Sequence, residues 1–188
     1  MQVRLDKRAR IIADGGQAYP VDLLRDHTLV QVRQKYTDDT GELTLAPGEE
    51  TTDEVTVGGR VVFVRNTGKL CFASLQDGFT ETSNGERLQI MLSKAEVGDE
   101  SLAAWKSDVD LGDHVWVRGR VVVSRRGELS IMAAEWRMAS KALRPLPTLH
   151  KELSEETRVR RRYADLVVRE ESRSRGNRAR RGRDAPRG

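Results

Sequence analysis

A single cysteine, Cys71, stands among 188 residues, which excludes an intramolecular disulfide and any multi-cysteine zinc site. No apolar run approaches the roughly 18 residues of a membrane-spanning helix. The N-terminal stretch MQVRLDKRARIIADGG lacks the apolar centre of a secretory signal. These absences lead to the expectation of a cytoplasmic protein with no membrane partner. His27, His114 and His150 are too scattered for a ligand spacing such as HExxH, and neither a phosphate-binding loop nor a nucleophile elbow is present. No catalytic residue and no metal site are therefore expected on this chain. Cys71, beside Phe72 in a β-rich segment, reads as a small packing residue rather than a nucleophile. Glu49 and Glu50 lie in a loop-like segment and read as solvated.

What the chain has is charge, unevenly placed. From Arg158 to Gly188 there are twelve arginines against four acids, a net of +8, whereas the whole chain carries +4. Residues 1–157 are therefore at −4. The sequence pI of about 9.4 describes the tail and not the body, so an RNA site in the body must work through local geometry and stacking. Hydrophobic residues form 37% and charged residues 33%, which leaves room for one compact core in a solvated chain.

Residues 3–14 have the spacing of a short amphipathic helix stopped by Gly15-Gly16, and Thr28 suits the N-cap of a second helix over 29–36. Residues 37–53, acidic and rich in Thr and Gly, read as a loop. From Val55 the period becomes two. The paired glycines of EVTVGGRVVFVR suggest a bulge in a sharply bent strand. Asn66-Thr67-Gly68 signals a turn, KLCFASLQD a second strand, GFTETSNG (78–85) a polar loop and ERLQIMLS a third strand. SLAAWKSDV reads as a helix capped by Ser101. Two further strands, DHVWVRGRVVVS and ELSIMAAEWRMA, are joined by the turn at Arg125-Arg126-Gly127. Three strands, a helix and two strands is the order of a five-stranded OB-fold Greek-key barrel, with a small barrel of another topology as the alternative. LRPLP then reads as a stiff extended linker, and residues 151–168 as helical.

The fold class expected is thus mainly β, with a helical N-terminal appendage, a C-terminal helix and a disordered basic tail. The boundaries expected are 1–52 for the appendage and linker, 53–142 for the barrel, 143–172 for a linker and the start of a further region, and 173–188 for the tail. In the third strand Leu88, Ile90 and Leu92 share one face, so Gln89 turns outward if the aliphatics fill the barrel. In the second strand, Phe72 shares a face with Leu70 and Ser74. It is either an external stacking platform for a base or a cap on the core. Arg65 is either a phosphate or base contact or a solvated edge charge.

The segments GGRVVFVRNTGKLCFASLQDG, WKSDVDLGDHVWVRGRVVVSRRGELSIMAAEWRMASKALRPLP and RVRRRYADLVV resemble, in order, the N-terminal region of bacterial class II lysyl-tRNA synthetases. The likeness is to the actinobacterial kind, including the version fused to a lysyl-phosphatidylglycerol synthase. It implies an anticodon-reading domain for a tRNA(Lys) anticodon loop, with Phe72 as the stacking aromatic, Gln89 as the strand-three reader, Glu135 on strand five and Arg65 on strand one. Alternation from Leu129 and Ile131 turns Glu135 inward unless the strand bulges. A uracil edge offers one N–H donor and two carbonyl acceptors, which a glutamine amide and a nearby carboxylate can satisfy.

Two departures from the family pattern stand out. The loop 78–85 is longer than usual, and nothing after RRYADLVVRE matches the catalytic motifs that bind ATP, Mg²⁺ and lysine in the full-length family. The expectation is a chain without cofactors of its own that is inactive alone as a ligase. Its tail, SRSRGNRARRGRDAPRG, cannot build a core and reads as a shifted-frame product or an arginine-rich RNA arm. The alternative functions are a general single-stranded nucleic-acid binder and a regulatory or inert fragment that associates with a full-length synthetase.

Overall fold

A computed structural model describes residues 1–78, 86–146 and 155–168. The elements in chain order are α1 (Gln2–Ala13), α2 (Leu29–Lys35), β1 (Glu50–Thr67), β2 (Leu70–Gln76), β3 (Arg87–Ser93), α3 (Lys94–Val97), α4 (Asp99–Asp108), β4 (His114–Val123), β5 (Leu129–Ser140), α5 (Glu155–Arg160) and α6 (Arg162–Val168). The five strands close into a barrel in the order β1-β2-β3-β5-β4. All pairs are antiparallel except β3 with β5. Met1–Asp77 and Glu86–Pro145 form one compact unit; a second unit contains α5 and α6, which flank Arg161. Within that second unit, Arg162 pairs with Asp165 at 2.9 Å.

The interior follows from alternation. Val55 and Val57 of β1, Cys71, Ala73 and Leu75 of β2, and Leu88, Ile90 and Leu92 of β3 are all buried, as are Val115 and Val117 of β4 and Leu129 and Ile131 of β5. Each side chain of this kind contributes roughly 1.5–3 kcal/mol when removed from water. Trp105 of α4 is wholly buried and meets Trp136 of β5 edge to face at 5.1 Å, so α4 stoppers one end. Leu29 and Val32 of α2 join the same core. Thr28 caps that helix in a reciprocal box with Gln31, satisfying two otherwise unpaired N–H groups.

Two strands break their alternation. In β1, Val61 faces Leu75 and Phe63 faces Ser74, leaving Val62 as an extra residue. In β5, Ala133 faces Gly119 and Glu135 faces Arg118, leaving Ala134 extra. The expected bulge at Gly58-Gly59 is therefore misplaced: the register runs unbroken through both glycines, opposite Trp116 and Val115. Gly59 serves close approach, since a Cβ there would lie 3.1 Å from both the Gln76 carbonyl oxygen and the Leu75 Cβ. β1 also begins at Glu50, inside the segment expected to be loop. Ser101 is not a helix cap: α4 starts after Gly98, and Ser93 caps the short α3 instead. Nearly all of the 78–85 loop, the first residues of the expected C-terminal helix, His150 and the basic tail lie outside the described residues.

The appendage is tied to the barrel by charge. Lys141 has a wholly buried side chain, and its ammonium donates to Asp113 Oδ2 at 2.7 Å, Asp110 Oδ2 at 2.6 Å and the Asp108 carbonyl oxygen at 2.6 Å. From α1, Lys7 reaches Asp110 Oδ1 at 2.7 Å, Arg10 pairs with Asp108, and Arg4 donates to the carbonyls of Leu111 and Ala142. Burial raises the Asp110 carboxyl, but hydrogen bonds from Lys141 and Lys7 outweigh it and hold the group below its ordinary range.

Gly119 sits where β4 and β5 press together: a Cβ there would lie 2.1 Å from the Met132 carbonyl oxygen and 2.8 Å from the Ala133 Cα. Gly119→Ala should therefore lose about 1–3 kcal/mol in urea unfolding, and an unchanged midpoint would refute that packing. His114 supplies a pH dependence. Burial, aided by the charge of Arg60, pushes its imidazole down to about 4. An unfolded imidazole takes up its proton near pH 6.5 while the folded one does not, so stability should fall as pH drops from 6.5 toward 4. His114→Gln should flatten that part of the profile.

Candidate nucleic-acid interface

The outer face of β1, β2, β3 and β5 presents two adjacent rows of side chains. One row runs Phe63, Ser74, Gln89, Ser130 and the next runs Arg65, Phe72, Met91, Met132. Residues opposite one another across strands have Cβ atoms about 4.5–5.5 Å apart, and diagonal neighbours about 7–8 Å. Phe72 is thus cross-strand from Arg65 and diagonal to both Phe63 and Gln89. It is half-buried and faces outward, while its neighbours Cys71 and Ala73 point into the core. Arg65 is exposed and makes no hydrogen bond or ion pair among the described residues.

Gln89 is held in one orientation. Ser130 Oγ donates to the Glu128 carbonyl oxygen at 2.9 Å and, having given its proton there, accepts from Gln89 Nε2 at 2.8 Å. That leaves Gln89 Oε1 as an acceptor and the second amide N–H as a donor. A neighbouring group with one donor and a flanking acceptor would match this pair.

Glu135 reaches the outer face because of the bulge at Ala134, but it lies further along β5 than Ser130 and Met132, beyond the Phe72 row. Its Oε2 accepts from Arg118 at 2.9 Å and its Oε1 from Arg137 at 2.9 Å. The Arg118 hydrogen bond above all, with Arg137, holds the carboxyl below its ordinary range against the opposing effect of burial. Arg137 also lies 5.7 Å from the centroid of the Trp116 ring. The fold therefore brings Arg65, Phe72 and Gln89 together, and places Glu135 in a separate, charge-paired cluster on the same barrel. Sequence reading does not single out Phe63, because unbroken alternation from Val55 and Val57 turns position 63 inward. The bulge at Val62 is the missing signal.

Elsewhere, a pocket of about 370 Å³ opens between the appendage and β5, lined by Ile11, Pro20, Trp136 and Met138 among others. It contains none of Arg65, Phe72, Gln89 and Glu135. Among the described residues no group of three or more His, Cys, Asp or Glu is placed to hold a metal ion. No described helix is long and apolar enough to cross a membrane.

Residues 55–139 match the tRNA anti-codon family, an OB-fold nucleic acid binding domain. The chain is 60% identical over 174 residues to the lysine–tRNA ligase of Kineococcus radiotolerans, covering 93% of this chain and 33% of that protein. It is 56% identical over 173 residues to the lysine–tRNA ligase of Mycolicibacterium gilvum, covering 92% and 32%. A third relative, the lysylphosphatidylglycerol biosynthesis bifunctional protein LysX of Rhodococcus jostii, is 38% identical over 174 residues, covering 92% of this chain and 14% of that protein. The chain spans about a third of the length of the lysine–tRNA ligases it matches.

The cluster of Glu135, Arg118 and Arg137 is solvated, with side chains 32%, 42% and 57% exposed, and exposed ion pairs add little to stability. Glu135→Gln should leave the urea midpoint nearly unchanged; a marked fall would show that these charges hold β4 to β5.

Proposed function

We propose that this chain, whose residues 55–139 match the tRNA anti-codon family of OB-fold nucleic acid binding domains, binds the anticodon loop of tRNA(Lys) on the outer face of its barrel. The observation that carries the reading is the fixed Gln89 amide beside an outward phenyl ring. In this reading the central uridine of the anticodon stacks on Phe72, Gln89 Oε1 accepts its N3–H, and the free amide N–H donates to a neighbouring carbonyl oxygen. Cytosine presents an acceptor at N3, which would set oxygen against nitrogen lone pair and leave both unpaired, so the arrangement selects against it. Arg65, whose guanidinium has no partner among the described residues, would meet the phosphate of the stacked nucleotide. Glu135 acts at one remove, orienting Arg118 and Arg137 toward the RNA backbone.

The recognition unit is the barrel, residues 53–142. In this proposal lysine activation, with its ATP and Mg²⁺, belongs to the parts of the relatives that this chain does not match. Binding would take place in the cytoplasm, and association with a full-length synthetase would bring the bound tRNA to that chemistry.

The test is affinity at fixed salt for a lysine anticodon stem-loop, for the same stem-loop with its central uridine changed to cytidine, and for an arbitrary single strand. The expected order is a clear preference for the first, with Phe72→Ala weakening it by about 1–3 kcal/mol. Equal affinity for all three RNAs would replace this reading with general single-strand binding. Retained affinity with lowered thermal stability in Phe72→Ala would make Phe72 a core residue.

A further inference from the structure

Phe63 is 52% exposed on the face that carries Phe72 and Gln89, and the anticodon reading above has no use for it. Its exposure is built into the strand. The extra residue at Val62 places Val61 and Val62 both inside, at 0% and 1% exposure, and turns Phe63 and Arg65 out together. Bulges re-aim side chains in this way near binding sites. Neither an aromatic ring nor a cation covers Phe63 among the described residues. Its surroundings are polar: Ser74 opposite, Gln89 beyond Ser74 in the same row, and Arg65 two residues along the strand. A single ring set among polar groups suits a nucleobase, which has an apolar face and a polar edge, better than the aliphatic surface of a protein partner.

We propose that Phe63 is a second base-stacking surface, taking the nucleotide next to the one on Phe72. The proposal rests on the anticodon-loop reading. Phe63 and Phe72 are diagonal neighbours on adjacent strands, about 7–8 Å apart, a separation that one nucleotide step spans when neighbouring bases are splayed. Ser74, the small residue between Phe63 and Gln89, leaves a low floor where two bases can turn apart. Arg65 stands beside both rings, placed for the phosphate that joins the two nucleotides.

The experiment uses the full chain and an RNA hairpin carrying the lysine anticodon, with each loop nucleotide in turn replaced by an abasic residue. In the parent chain, abasic substitution at the central position and at one adjacent position should each weaken binding by about fivefold to a hundredfold. Phe63→Ala should abolish the loss at the adjacent position and keep the loss at the central one. Phe72→Ala should do the reverse. Phe63→Trp should restore the parent pattern. Phe63→Leu, which keeps apolar bulk without a π-face and guards against a folding defect, should not restore it. If Phe63→Ala and Phe63→Leu bind every hairpin as the parent does while Phe72→Ala is weakened, the second platform is wrong and the anticodon reading stands. A uniform loss in Phe63→Ala that Phe63→Trp does not repair would also overturn the proposal, leaving Phe63 a structural or protein-contact residue. A parent chain indifferent to every abasic substitution would overturn both.

Discussion

Side chains on a strand alternate between two faces with a period of two, and a small closed barrel has room inside for one face only. Everything in this molecule depends on where that alternation is kept and where it is broken by one whole residue. Unbroken stretches fill the interior: Val55 and Val57, then Cys71, Ala73 and Leu75, then Leu88, Ile90 and Leu92. Two of the breaks, at Val62 in β1 and Ala134 in β5, reverse the parity of the residues that follow each of them. Without the first, Phe63 and Arg65 would crowd the interior and Val64 would face water. Without the second, Glu135 would be a buried carboxylate, which a core of valine and leucine cannot pair. Polar and aromatic outer-face residues on these two strands thus follow from the same closure that makes the core.

Closure also requires the strands to cross tightly, and the glycines supply that. At Gly119 the opposing backbone comes closer than any side chain allows, and at Gly59 the end of β2 lies close against the β1 backbone. One end of the barrel is covered twice. Trp105 and α4 stopper it with apolar volume. Lys141 then binds the Asp110 and Asp113 carboxylates and the Asp108 carbonyl oxygen, in a charge cluster that reaches Lys7 of α1. A buried lysine is tolerated because each of its three protons has an acceptor, so desolvation is offset by charge-assisted bonds. The appendage is anchored at this end, on a different surface from the Phe72 row.

Much of this was legible in the residues. The order of strands and the helix after the third one follow from hydrophobic period and turn residues, and Thr28 announces α2. The outward aim of Gln89 also follows, because the aliphatics of β3 settle its parity, whereas alternation in β2 groups Phe72 with Leu70 and Ser74 without deciding which face fills the barrel. The positions of the bulges were not legible. Gly58-Gly59 looks like a bulge and keeps its register, whereas Val62 looks like any β-branched strand residue and is the bulge. Nothing local distinguishes them, because a bulge is decided by the partner strand: Leu75 and Ser74 set the register against which Val62 is one residue too many. Phe63 was hidden for this reason. Glu135 was visible through resemblance alone, since its own strand pattern pointed it inward. Its ion pairs with Arg118 and Arg137 are likewise a matter of register across β4 and β5.

The charge distribution constrains how such a face can work. The body through residue 157 is net negative, so long-range attraction to a polyanion is weak there and recognition must come from contacts made after arrival. That places the demand on shape and on unpaired polar groups. Gln89 answers it economically, because Ser130 and Glu128 settle its amide before any ligand arrives. Little rotamer search is then left to oppose binding, and in the proposed reading a base held there with the wrong donor pattern would leave Oε1 unpaired. Leaving such a group unpaired costs about 1–3 kcal/mol, comparable to the stacking worth of a base on an aromatic ring. Stacking is indifferent to which base is present, so in the proposed reading the phenyl rings would hold a nucleotide and the amide of Gln89 would decide which one stays.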